Sequence, residues 1–296
     1  MEAMTLPLVV GTDGSDAALK AVDWAADEAA VRGVPLRIVY ASLWERYEGR
    51  APSFTREPPE GQILAQHIAS SAEERARLRQ PGLEMTAEVL TEDTQYALLR
   101  EGNHATALVV GHRGRGDMAG LLLGSVSLTL AGRAQCPVVV VRGDREEQGT
   151  KDEQGWIVLG VGPDENSAAA IEFAFHEAEL RGCGVRAVHA WRMPPGEGAE
   201  WTGYEDEAVK AHHRRAEEHL DQALRAAATA RPGVRYRRYA GEGHARKVLL
   251  ATLDDADLLV VGARRRNNPF GLQLGPVNHA MLHHAPCPVA VVPQPT

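Results

Sequence analysis

The segment Ala134-Gln135-Cys136-Pro137-Val138-Val139-Val140-Val141 returns as Ala285-Pro286-Cys287-Pro288-Val289-Ala290-Val291-Val292. The correspondence runs back through both halves of the chain. Val109-Val110-Gly111 matches Val260-Val261-Gly262, and Val10-Gly11-Thr12-Asp13 lies opposite Leu159-Gly160-Val161-Gly162. Ala30-Val31-Arg32-Gly33 likewise lies opposite Glu179-Leu180-Arg181-Gly182. A repeat of about 150 residues is far longer than a solenoid unit, so it marks duplication of a whole domain. The 296 residues are about twice the usual size of one domain. The expected layout is a first domain over 1–143, a polar linker over 144–155 and a second domain over 156–296.

Within the first repeat, short apolar runs alternate with amphipathic stretches. Leu6 to Val10 reads as a buried strand entering a turn in which Ser15 or Asp16 caps a helix. Leu19, Val22, Ala25, Ala26 and Ala29 follow at helical spacing, and Gly33-Val34-Pro35 ends the helix. Leu36 to Ala41 is a second strand, Ile63 to Gln80 a charged helix, and Leu83 to Leu90 a third strand. Thr94 to Gly102 is a helix, Ala107 to Val110 a fully apolar strand, Ser125 to Ala134 the last helix and Val138 to Val141 the last strand. This alternation predicts a doubly wound, Rossmann-like α/β domain: a parallel sheet covered by helices on both faces, with right-handed crossovers. Ser42 to Gly61, rich in Pro, Gly, Arg and Glu, is too long for an ordinary connection and reads as a flap or partner-binding loop.

The formal charge of −8 argues against a nucleic-acid partner. No apolar run reaches the ~20 residues of a membrane helix, and the first residues lack the pattern of a secretory signal, so a soluble cytoplasmic protein is expected. Three cysteines without a Cys-x-x-Cys pair provide neither a disulfide framework nor a zinc knuckle. Cys136 and Cys287, each before a Pro and a valine-rich strand, read as small buried residues.

The chemistry concentrates at Gly111-His112-Arg113-Gly114, followed after nine residues by Gly124-Ser125. In an open α/β sheet, ligands bind beyond the carboxyl ends of the strands where strand order reverses. If the first and fourth strands are neighbours, Asp13 and Gly111 face that crevice together. Gly111 and Gly114 are expected to adopt positive φ and to let backbone N–H groups turn toward an anion. Ser125 opens a helix whose free N–H groups and dipole favour phosphate, with the Ser125 and Ser127 hydroxyls as further donors. Arg113 and Arg115 either neutralise phosphate or are solvated loop residues. Asp13 can accept from a ribose or help hold magnesium. The chain has no Gly-Lys-Ser/Thr of a P-loop and no Gly-x-Gly-x-x-Gly.

Gly-x-x-Gly, nine residues, then Gly-Ser/Thr is the ATP-binding pattern of the universal stress proteins. With the Gly-x-Asp-Gly-Ser start at Gly11 to Ser15 and the Cys-Pro-Val-Val-Val end, the chain resembles a tandem of two such domains, of the adenine nucleotide alpha hydrolase-like class with five-stranded sheets. The resemblance implies ATP and Mg2+ as ligands. Gly11, Thr12 and Asp13 would lie at the ribose and metal, with Asp13 as the metal ligand. Val39 would make backbone contacts to adenine, while Val110, Gly111, Arg113, Gly114, Gly124, Ser125, Val126 and Ser127 would surround the phosphates. The resemblance also implies pairing of the last strands, Val138–Val141 with Val289–Val292, as an intramolecular pseudo-dimer, and leaves a further homodimer open.

The second repeat departs from the pattern. Gly162 stands in place of Asp13, Arg265 in place of Gly114, and Pro276 and Asn278 in place of Ser125 and Ser127. These exchanges remove a carboxylate, a permissive backbone, and a hydroxyl with one N–H, so one nucleotide site is expected, in the first domain. Arg264, Arg265 and Arg266 leave open a different anionic ligand in the second. His212, His213 and His219 on a charged helix, and His279 and His283 four residues apart, read as solvated or capping because no acidic third ligand accompanies them. His112 borders the glycine turn and is a candidate for the pocket wall. No nucleophile–base pair emerges from spacing. The leading function is a stress-response regulator that binds ATP and hydrolyses it slowly if at all. A slow ATP-hydrolysing or phosphate-transferring enzyme, and a structural module without nucleotide, are the alternatives.

Overall fold

The computed structural model describes residues 5–43, 60–114, 123–142, 155–163, 167–193, 205–264 and 274–294. The Ser42 to Gly61 segment, the linker, Arg115, Arg265 and Arg266 lie wholly or mostly outside them. The chain divides into two compact units, Met1–Arg142 and Gly143–Thr296.

In the first unit the valine- and leucine-rich segments form five strands: β1 (Leu8–Gly11), β2 (Leu36–Ala41), β3 (Met85–Leu90), β4 (Ala107–Gly111) and β5 (Val138–Val141). Between them run α1 (Asp16–Arg32), α2 (Glu60–Arg79), α3 (Thr94–Gly102) and α4 (Ser125–Arg133). All pairings are parallel, in the order β3-β2-β1-β4-β5. β1 and β4, central in this order, are buried on both faces, which is why they are continuously apolar rather than alternating, and the four valines of β5 are buried as well. Alanines let the helices lie close: Ala21, Ala25, Ala26 and Ala29 of α1 and Ala65, Ala72 and Ala76 of α2 are fully buried.

The ends of α1 follow the sequence signals. The Ser15 hydroxyl accepts from the Ala18 N–H, and Gly33 takes φ 64°, where its N–H reaches Ala29 and Ala30 carbonyls. The residues between β1 and α1 form a tight turn in which Gly14, at φ 75°, donates to the Thr12 hydroxyl.

The second unit repeats the plan. Its strands are β6 (Trp156–Gly160), β7 (Gly184–Trp191), β8 (Tyr236–Glu242), β9 (Ala256–Ala263) and β10 (Val289–Pro293). Its helices are α5 (Ala168–Arg181), α6 (Glu205–Ala230), α7 (Ala245–Leu250) and α8 (Pro276–His284). The order is β8-β7-β6-β9-β10, again parallel throughout. Both units are therefore doubly wound, five-stranded parallel α/β folds. All three cysteines are buried, and burial pushes the Cys136 thiol up to about 11. Among the described residues, no helix is long and apolar enough to cross a membrane.

Candidate functional site

Strand order in the first unit reverses between β1 and β4, which lie side by side with Val10 level with Val109. A cavity of about 680 Å³ opens beyond their carboxyl ends. Its walls carry all twelve residues singled out from the sequence. Gly11, Thr12 and Asp13 come from the end of β1; Val39 from β2; Val110, Gly111, Arg113 and Gly114 from β4 and its turn; and Gly124, Ser125, Val126 and Ser127 from the start of α4. Ala18, Tyr40, Ala41, Ser42, Thr94, Leu98 and Leu123 complete it and were not anticipated. These come from strand ends and helix faces with no local motif; the only advance signal was that β2 had to end beside β1.

Each part of the cradle is fixed by its own contacts. Asp13 Oδ1 accepts from the Ser15 N–H at 2.9 Å, anchoring the carboxylate at the mouth of the turn. A Cβ placed on Gly114 would come within 2.5 Å of Asp13 Oδ2, so the glycine turn passes directly over that carboxylate. Asp13 and Arg113 are the charged residues among the described lining. The Thr94 hydroxyl donates to the Ala41 carbonyl at 2.6 Å, tying α3 to the end of β2.

At the end of the cavity formed by α4, Gly124 caps the helix with no side-chain hydrogen bond. Its backbone, φ −75° and ψ 151°, is open to any residue, and a Cβ there would meet nothing closer than 3.6 Å. Packing therefore does not require glycine at 124. A Ser or Asp would cap the helix better, and glycine leaves the first N–H groups of α4 facing the cavity.

Several sequence expectations are corrected. Gly111 and Gly114 do not take positive φ; among the described residues only Gly14, Gly33, Gly182 and Gly243 do. Gly111 is needed for space: a Cβ would lie 2.5 Å from the Ala17 carbonyl oxygen and 2.9 Å from Ala18 N, where α1 crosses the end of β4. The buried Ser127 hydroxyl donates to the Gly111 carbonyl at 2.7 Å, so its proton clamps helix to strand rather than being offered outward. The Val39 carbonyl accepts from Thr12 N–H at 2.9 Å, which uses one of its two lone pairs and does not bear on the expected adenine contact. His112 does not line the cavity; its carbonyl accepts from Gly124 N–H at 2.8 Å. Burial, with Arg142 and Arg113 nearby, holds the His112 imidazole below its ordinary pKa, against a hydrogen bond to Val141 that acts the other way.

The corresponding cavity of the second unit is about 210 Å³. Asn278 keeps the clamp, donating to the Gly262 carbonyl at 2.9 Å as Ser127 does to Gly111, so this exchange preserves the fold while changing the wall. Gln294 is buried in the cleft, with Oε1 accepting from Ala169 N–H at 3.2 Å and Nε2 packed against Gly262. The turn after β6 holds Gly162 in place of a carboxylate, and the Gly162 carbonyl accepts from His219 Nε2 at 2.8 Å. His219 thus faces inward, contrary to its expected solvated position.

The sequence model of the universal stress protein family matches the chain twice, over residues 4–142 and 156–293. The chain belongs to this family. Its two halves are universal stress protein domains in tandem. The protein is 31% identical to universal stress protein Rv1996 of Mycobacterium tuberculosis over 98% of this chain and 96% of that one. It is 30% identical to universal stress protein Rv2623 of the same organism, over 97% and 96%. Among solved structures, a universal stress protein from Archaeoglobus fulgidus superposes with a TM-score of 0.64 at 15% identity, covering 98% of both chains, and shares the fold.

Proposed function

We propose that the protein is a stress-response regulator that binds one adenine nucleotide, ATP with Mg2+, in the first unit and acts through occupancy rather than turnover. The observation that carries this reading is Gly124. Its missing side chain has no packing cause, and it leaves uncapped helix N–H groups opposite a glycine turn lying on Asp13. The cavity volume lies within the usual ~300–1,000 Å³ of small-molecule sites.

In this reading the phosphates lie between the Gly111 to Gly114 turn and the start of α4, with Arg113 supplying positive charge. The ribose lies against Thr12 and Asp13, and the base against the ends of β2 and α3. Asp13 would be the carboxylate ligand of Mg2+, which would neutralise phosphate charge when bound. Asp13 is the only acidic residue among the described lining, its Oδ1 is held by the Ser15 N–H, and no histidine lines the cavity there. Such a wall favours binding over hydrolysis, since among the described lining residues Asp13 is the only acidic one and there is no histidine to activate a water. The smaller second cleft, with Gln294 inside it and no carboxylate at Gly162, is assigned no nucleotide.

Gly124→Val tests the reading, because Gly124 lines the cavity and a Cβ there meets no atom closer than 3.6 Å. The variant is expected to unfold as the wild type does, to lose affinity for MgATP by at least about tenfold, and to have no ATPase activity to lose. Unchanged affinity would remove the first-unit site. Multiple turnovers abolished by Asp13→Asn would establish the enzyme alternative.

A further inference from the structure

Outside the nucleotide cleft, the second unit places two imidazoles side by side. His189 comes from β7 and His219 from α6, with ring centres 4.7 Å apart. His189 is 8% exposed and lines the second cavity. By strand register it stands where the first unit has Tyr40, one residue beyond the partner of the last β1 residue.

Their hydrogen bonds fix both tautomers. His189 Nδ1 lies 3.0 Å from the Val161 carbonyl and His219 Nε2 lies 2.8 Å from the Gly162 carbonyl. A carbonyl only accepts, so both of these nitrogens carry the proton. His189 Nε2 and His219 Nδ1 are left as lone-pair donors, with no hydrogen-bond partner among the described residues.

An imidazole that spends its one N–H on a backbone carbonyl is the usual arrangement of a metal-binding histidine, because the outer bond orients the ring and raises the basicity of the other nitrogen. Two adjacent rings anchored in this way on consecutive carbonyls have the chemistry of a late first-row divalent ion. With Zn–N bonds of about 2.0–2.1 Å, two imidazoles on one roughly tetrahedral ion hold their centres about 5 Å apart, close to the spacing here.

We propose that the second unit binds one late first-row divalent cation, of the Zn2+ class, through His189 Nε2 and His219 Nδ1. No group of three or more His, Cys, Asp or Glu side chains suited to a metal occurs among the described residues, so water or a small anion in the cleft completes the coordination. The site is independent of the nucleotide reading: the turn that presents Asp13 in the first unit presents here two carbonyls that orient metal ligands.

The test is titration of the full-length protein with Zn2+ against a chromogenic chelator, and with Co2+ by its visible absorption, for the wild type and for His189→Gln, His219→Gln and His279→Gln. The last variant addresses the rival pair His279 and His283 on α8, whose ring centres are 4.4 Å apart. The proposal expects one equivalent bound, weakened at least about tenfold by either of the first two changes and unaltered by the third. No binding, binding that survives both changes, or binding lost only with His279→Gln overturns it. Nitrogen NMR of the wild-type imidazoles provides a check that needs no variant. His189 should be the Nδ1–H tautomer and His219 the Nε2–H tautomer, and Zn2+ should shift the two bare nitrogens; shifts confined to other histidines would refute the assignment.

Discussion

Gly111→Ala should destabilise the first unit while Gly124→Ala should not, although both glycines belong to one sequence pattern and line one cavity. The added methyl at 111 would lie 2.5 Å from Ala17 O, 2.6 Å from Ala17 C and 2.9 Å from Ala18 N, all backbone atoms that no rotamer change can move. The start of α1 must shift away from β4. Overpacking of this kind costs about 1–3 kcal/mol, partly offset by about 0.4–1 kcal/mol from the smaller entropy of an unfolded chain with alanine in place of glycine. At 124 the nearest atom is 3.6 Å away and the backbone suits alanine. There the poorer N-cap and the entropy gain nearly cancel, within about 0.5 kcal/mol. Gly262→Ala, whose methyl would come nearest to the flexible Gln294 side chain, with Nε2 at 2.9 Å, should fall between them. Urea unfolding, with hydrogen exchange of β4 and β9 peptides to separate the units, reads the series. Equal losses at 111 and 124, or none at 111, would refute the steric account.

Ser127→Ala and Asn278→Ala should each destabilise their own unit by about 1–3 kcal/mol, because each leaves a strand-end carbonyl, Gly111 or Gly262, without its donor; local hydrogen exchange should locate each loss in one unit only. The depressed His112 pKa gives the first unit a pH dependence of definite sign. The unfolded chain binds the proton more readily, so stability is full above about 6.5 and falls as pH drops from there through the lower folded pKa. Urea midpoints measured between pH 8 and 5.5 should show the decline, and His112→Gln should flatten it; a rise in stability on acidification attributable to His112 would contradict the stated cause.

The fold was legible because its signals are local. Four consecutive valines at 138–141, the Gly33-Val34-Pro35 stop and the Ser15 cap each act within a few residues, and each element forms where these signals fall. That Asp13, the glycine turn and the start of α4 line one cavity was legible because a glycine pattern after an apolar strand has one place to go in a doubly wound sheet, whereas Val39 followed only from the family resemblance. Residues whose roles depend on contacts far along the chain were not legible. Gly111 looked like a backbone-conformation glycine, yet its constraint is a helix more than ninety residues earlier in sequence. Ser127 looked like a phosphate donor, yet its partner is a carbonyl sixteen residues back. Tyr40, Thr94 and Leu98 reach the cavity from separate elements, and the inward turn of His219 toward Gly162 spans 57 residues. No spacing rule reports such contacts.

The central claim is a single nucleotide site, located in the first unit. Calorimetric titration of the full-length chain with MgATP, beside Gly114→Arg, which places in the first turn the residue found at Arg265, tests it most directly. The account predicts one ATP per chain for the wild type and none for the variant. Two ATP per chain, or one that survives Gly114→Arg, would contradict it.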